Sequence, residues 1–168
     1  RESLPTGGTL RKENGGVLSK DLKKYLSSGI DEYALDCPDA AWGIVVYDYI
    51  CMYLDKLADG SIPHERRDRR VFRLIWEHKK CMLGRIKAVE KQFGWDNELS
   101  SDYEEVVKLA DKARFIYSKF VIKYSNMHLE RIQVLLMQMK SLEVQILGKL
   151  LKSFEGELNV QTSVEQHD

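Results

Sequence analysis

A chain of 168 residues is long enough to form one domain with a substantial core. Apolar residues make up 43% and charged residues 31%, and 26 basic side chains balance 26 acidic ones, so an overall field that attracts nucleic acid is excluded, although a local patch is not. The longest strongly apolar run, Ala40 to Leu54, carries Asp48 and is too short to cross a membrane.

Three cysteines, Cys37, Cys51 and Cys81, form no C-x-x-C pair. Their odd number points to reduced thiols and a cytoplasmic or nuclear protein, with one disulfide plus one free thiol as the alternative. No signal peptide is legible. The chain opens at Arg1 without a methionine, so secretion after removal of a leader stays open. Pro5, Pro38 and Pro63 are the three prolines; the proline-free remainder favours long helices.

Residues 1–18, "RESLPTGGTLRKENGGVL", hold four glycines and a proline and read as a flexible N-terminal arm or linker. A short helix is predicted from Ser19, as N-cap, to Ser28, with Gly29 as its stop. A second starts at "DCPDAAW", capped by Asp36 or Cys37 with Pro38 in its first turn, and ends near Ala58 before Asp59-Gly60. Its middle, "AWGIVVYDYICMYL", is apolar on every face and is expected to be buried on all sides. The β-branched residues there would also suit a strand, but no comparable partner strand exists.

The third helix is predicted from just after Ser61, with Pro63 in its first turn, to Phe93 before Gly94. The fourth begins at Ser101, where Ser101-x-x-Glu104 makes a capping box. No glycine or proline then occurs until Gly148, so a break is expected near "YSNMH", residues 124–128, where Ser125 and Asn126 compete for the backbone. The last helix covers Leu129 to Phe154, and 156–168 form a polar, frayed tail. The expected fold is all-α, a bundle of four or five mostly antiparallel helices spanning 19–155. Trp42, Leu54, Phe72, Ile86, Phe120, Ile132, Leu136, Met139 and Ile146 belong to its core.

The segment "HERRDRR" (64–70) opens the first candidate site. On one continuous helix of about 100° per residue, Phe72, Ile75, Met82, Ile86, Val89 and Phe93 face the core. Arg66, Arg69, Arg73, Lys80, Lys87 and Lys91 then form a separate basic stripe, interrupted by Glu77. Such a stripe can follow a phosphate backbone, RNA in particular. The blander reading is a solvated face whose cations pair with carboxylates such as Glu65, Asp68 and Glu90.

The last helix carries the second. Ile132, Leu135, Leu136, Met139, Leu142, Ile146 and Leu150 make one apolar face at 3-and-4 spacing. Val134, Met137, Val144, Leu147 and Leu151 make a second, which a helix with one solvated side does not need. That surplus predicts a protein interface, with a partner or with a second copy as a homodimer. Lys149 and Glu143 interrupt a long coiled-coil register.

Other constellations are weak. Asp48 could be a carboxylate poised for acid–base work, but with no histidine or second carboxylate at fixed spacing, a structural pair with a lysine, arginine or tyrosine is the simpler reading. His78 and Cys81 lie one turn apart, yet Cys37, Cys51, His64 and His128 offer no spacing for two further metal ligands. No phosphate loop, nucleophile elbow or zinc-protease motif occurs. The expectation is a non-catalytic, cofactor-free and metal-free protein-interaction module. RNA binding is the alternative, and a secreted helical effector or signalling protein the third.

Overall fold

The computed structural model describes residues 7–27, 41–96 and 98–164, with the side chains of 15–27, 41–96 and 98–157. Among these, five α-helices and two 3-10 turns occur and no strand. They are α1 (Gly7–Ser27), a 3-10 turn (Gly43–Val45), α2 (Val46–Ala58), a 3-10 turn (His64–Arg66), α3 (Val71–Phe93), α4 (Leu99–Lys123) and α5 (Asn126–Val164). The class is the expected one, an all-α bundle. The chain divides into two compact units, Val45–Ile146 and the residues flanking it on both sides.

In the central unit, paired side chains fix the helix directions. Lys87 Nζ lies 2.9 Å from Glu104, Arg114 stands 4.5 Å over the Trp76 ring, and Ser100 N–H donates to Glu90 at 2.9 Å. Numbers rising on α3 meet numbers falling on α4, so the two are antiparallel. Lys140 reaches Asp48 at 2.6 Å and Gln133 reaches Asp55 at 2.6 Å, which makes α5 antiparallel to α2 by the same logic. Leu54, Phe72, Ile86, Tyr103, Val106, Phe120, Ile132, Leu136 and Met139 are each exposed by 1% or less and form the core. Burial of each large aliphatic or aromatic side chain is worth up to about 1.5–3 kcal/mol.

Two core expectations fail. Trp42, in the flanking unit, is 48% exposed, and α2 is not buried on all sides, because Tyr49 and Met52 are more than half exposed. Apolar residues around a whole helix record composition; how many faces are covered depends on how many helices surround it. α2 buries Tyr47, Leu54 and Leu57 and leaves its far side to solvent. Its expected start at 36–38 lies outside the described residues. The α-helix proper begins at Val46, after Gly43 adopts a left-handed φ of 70°. Its end at Ala58 is as expected, with Gly60 at φ 79° and Asp59 Oδ1 accepting Ser61 N–H at 2.8 Å.

α3 begins at Val71, nine residues later than the start just after Ser61 implied. The cause is side-chain capture of the backbone. Asp68 N–H donates to Tyr53 Oη at 2.9 Å, and Tyr117 Oη donates to Asp68 C=O at 2.9 Å. Both groups that a helix would use are thereby engaged, and Arg67 stays extended at φ −64°, ψ 139°. Asp68 Oδ1 then accepts Arg70 N–H at 2.8 Å, at the start of the helix. α3 ends where expected, on Gly94 at φ 67°.

The Ser101 capping box is also displaced. α4 starts at Leu99, and the carboxylate that meets its first turn is Glu90 from α3, while Glu104 turns to Lys87 instead. The break near 124–128 is present: α4 ends at Lys123, Tyr124 is left-handed at φ 51°, and α5 restarts at Asn126.

In the flanking unit the arm reading gives way. α1 runs from Gly7, and residues 1–6 lie outside the described part. Ser19, expected as an N-cap, sits mid-helix and is buried with Gly15 and Leu22, all on one face. Helical glycines cost about 1 kcal/mol each, and burial of that face offsets the cost. Within this unit α5 buries Leu147, Leu150 and Phe154, and Glu155 pairs with Lys23 at 2.8 Å. The Gly29 stop lies outside the described residues. The polar tail is helical as far as Val164, since no proline follows and a single Gly156 does not end a helix.

Candidate interaction surface

Three features could carry function. The first is a buried charge centre whose members sit within apolar stripes of the sequence. Glu143 on α5 is fully buried and accepts hydrogen bonds from all three neighbouring helices. Tyr47 Oη of α2 donates at 2.8 Å, Tyr103 Oη of α4 donates to the other oxygen, and Lys79 Nζ of α3 reaches both oxygens at 2.8 and 3.0 Å. Lys79 also stands 4.9 Å over the Tyr47 ring. With Glu143 fully buried and Lys79 5% exposed, the pair is sealed in protein. Its chemistry is that of a clamp joining four helices. The signal was present: Lys79 lies midway between Phe72 and Ile86, and Glu143 falls on the same stripe as Met139 and Ile146.

The second feature resolves "HERRDRR". Its four arginines have different fates. Arg67 is 8% exposed; it donates to His64 C=O, to Val121 C=O at 3.4 Å and to Tyr124 Oη at 3.0 Å, and lies 4.8 Å over the Tyr124 ring. The His64 ring lies 4.2 Å from the same ring, tilted at 49° to it. The cluster holds Tyr124 in a left-handed conformation that glycine would adopt more readily. Arg70 pairs with Asp68 at 3.2 Å. Arg66 and Arg69 are exposed, on the turn and linker that precede α3.

The basic stripe therefore loses its common helix. Only Arg73, Lys80, Lys87 and Lys91 lie on α3. Arg73 pairs with Glu77 at 2.9 Å, Lys80 stands 4.5 Å over the Trp76 ring, and Lys87 binds Glu104. Pairing of this kind is what a solvated face shows. The single-helix geometry fails because it extended one helix through Arg67, whose backbone is extended.

The third feature is the outer side of α5. Val134 is 58% exposed, and Met137 and Val144 are each 42% exposed. Leu147, assigned to the same face from sequence, is instead fully buried, and Leu151 is half-buried. With Met127, 52% exposed, Glu130 and the exposed Ser141, these residues give positions 127, 130, 134, 137, 141 and 144. That spacing alternates three and four, the seam of a helix that packs on another helix. Toward α2, Gln133 and Lys140 are tied down by Asp55 and Asp48. Met52 lies between those two carboxylates along α2 and is 53% exposed.

Asp48 thus has its lysine partner, as the structural reading expected, but at a half-exposed rim. Among the described residues no group of three histidine, cysteine or acidic side chains gathers as a metal site, and no helix is long and apolar enough to cross a membrane. Cys37 lies outside the described residues. Cys51 is half-buried, and burial, with Asp48 and Asp55 adding to it, pushes its thiol pKa up, away from thiolate reactivity. Comparison with family models, with curated proteins and with solved structures finds no match to this chain.

Proposed function

We propose that the protein is a non-catalytic helical module that works by receiving a partner helix on the outer face of α5. The observation that supports this most is the exposed apolar group Val134, Met137 and Val144 on a helix whose opposite face is buried. Each such side chain left in water forgoes part of the roughly 1.5–3 kcal/mol that burial provides. Met52 and Tyr49 of α2, the helix paired with α5, are exposed as well, and exposed apolar groups mark protein contact sites. The deepest polar centre, by contrast, is sealed and saturated with hydrogen bonds, which suits a scaffold rather than a reaction site.

A labelled synthetic amphipathic helix, with leucine at 3-and-4 spacing and uncharged flanks, tests this reading. The full chain should bind it, and Met137→Lys with Val144→Lys should abolish binding while leaving the melting temperature unchanged. Absence of binding by the unmodified protein, or binding that ignores the double substitution, would overturn it.

A further inference from the structure

Resting on that reading, we infer that the helix received by α5 is the α5 of a second copy of this chain, packed antiparallel with its two-fold axis at the level of Met139. The order of side chains along the seam carries the argument. From 134 to 144 the seam reads Val134, Met137, Ser141, Val144. In an antiparallel pair of heptad seams, the first position of one helix meets the second position of the other. Val134 then packs on the partner's Val144, and Met137 packs on the partner's Ser141. The symmetry operation repeats both contacts. Each long methionine meets a small serine, and valine meets valine, so the four layers fill evenly. A parallel in-register pair would set serine on serine and methionine on methionine, leaving a gap in one layer and crowding another.

The flanks agree. On one side of the seam stand Arg131, Gln138 and Gln145, all exposed. The same antiparallel register places Gln138 beside the partner's Gln138, where two primary amides can exchange donor and acceptor, and Arg131 beside the partner's Gln145, whose carbonyl can accept from the guanidinium. On the other side Lys140 approaches its symmetry mate, but each is held by its own Asp48 at 2.6 and 2.7 Å, so the four charges cancel. A chain with formal net charge zero also meets no long-range repulsion from its own copy.

The seam is short, about 15 Å of helix for its four layers. Tyr49 and Met52 on the adjoining α2 are exposed too, but a seam of four layers by itself is small beside the roughly 1,000 Å² that a specific interface requires. The dimer is consequently reversible and concentration-dependent.

Sedimentation equilibrium of the full chain, from low to hundreds of micromolar, should show a shift from 19.5 kDa toward twice that mass. Gln138→Glu and Gln138→Lys each place two like charges beside the axis, on an exposed position that leaves the fold intact. Each variant alone should lose roughly tenfold or more in self-association. An equimolar mixture of the two should recover it as a heterodimer. A dimer that tolerates both substitutions, or a mixture that fails to recover, overturns the antiparallel register. A chain that stays monomeric throughout overturns the second-copy assignment. If the amphipathic peptide still binds that monomer through Met137 and Val144, the docking surface stands and its occupant is a different helix; if it does not, the broader reading falls as well.

Discussion

Two ion pairs leave α5 three residues apart, and they behave differently. Glu143 meets Lys79 with both side chains at or below 5% exposure, inside a ring of two tyrosines. Lys140 meets Asp48 with side chains 28% and 46% exposed, at the rim facing α2. The pair types and distances are alike, but the dielectric surroundings are not. A rim pair in contact with water contributes about 0–1 kcal/mol. A sealed pair has given up its hydration, so removing one partner strands a charge at a cost of about 3–5 kcal/mol, although replacing both by apolar groups can be close to neutral. The inner pair therefore fixes how four helices meet, and the outer one borders a surface that tolerates change.

The largest effect should come from the inner face itself. Leu136→Lys buries a charge in a fully covered site and should leave the domain unfolded, as circular dichroism at room temperature would show. Next, Lys79→Met should lower stability by about 3–5 kcal/mol in urea titration, and adding Glu143→Leu should recover much of that loss. If the double variant is no better than the single, the clamp is not a matched pair.

At the far end of the bundle, Arg67→Ala removes charge-assisted bonds to Tyr124 and to two carbonyls. It should cost about 1.5–3 kcal/mol, with the 124–128 turn losing hydrogen-exchange protection first. Asp48→Asn, at the rim, should change stability by less than about 1 kcal/mol. A larger loss would show that the rim pair is sealed in solution, for instance by a bound copy.

The smallest effect is a pH dependence at His78. Partial burial, chiefly, and the neighbouring Lys79 push its imidazole pKa below the ordinary 6.5, and Glu143 opposes them only in part. The folded state thus resists protonation. Its contribution is fully present above the unfolded pKa and declines as pH falls through the range below 6.5. His78→Gln should flatten that part of a stability-versus-pH curve without altering the plateau above it.

The sequence by itself determined the class and most of the punctuation. Gly60, Gly94 and the Tyr124–Asn126 break end helices for local reasons, since left-handed backbone and competing side chains act within a few residues. The 3-and-4 stripe from Ile132 to Ile146 located the inner face of α5 because apolar periodicity is itself a local pattern. Tertiary structure alone decided where α3 begins, because Tyr53 and Tyr117, distant in sequence, take the backbone groups of Asp68. It also decided that Arg67 is buried while Arg66 and Arg69 are not, and that Leu147 is covered while Val134, Met137 and Val144 are open. Burial of a particular side chain depends on which neighbours arrive from elsewhere in the chain. Lys79 and Glu143 make the same point: Glu143 read as a break in a coiled-coil register, and only the packing of four helices brings it to Lys79.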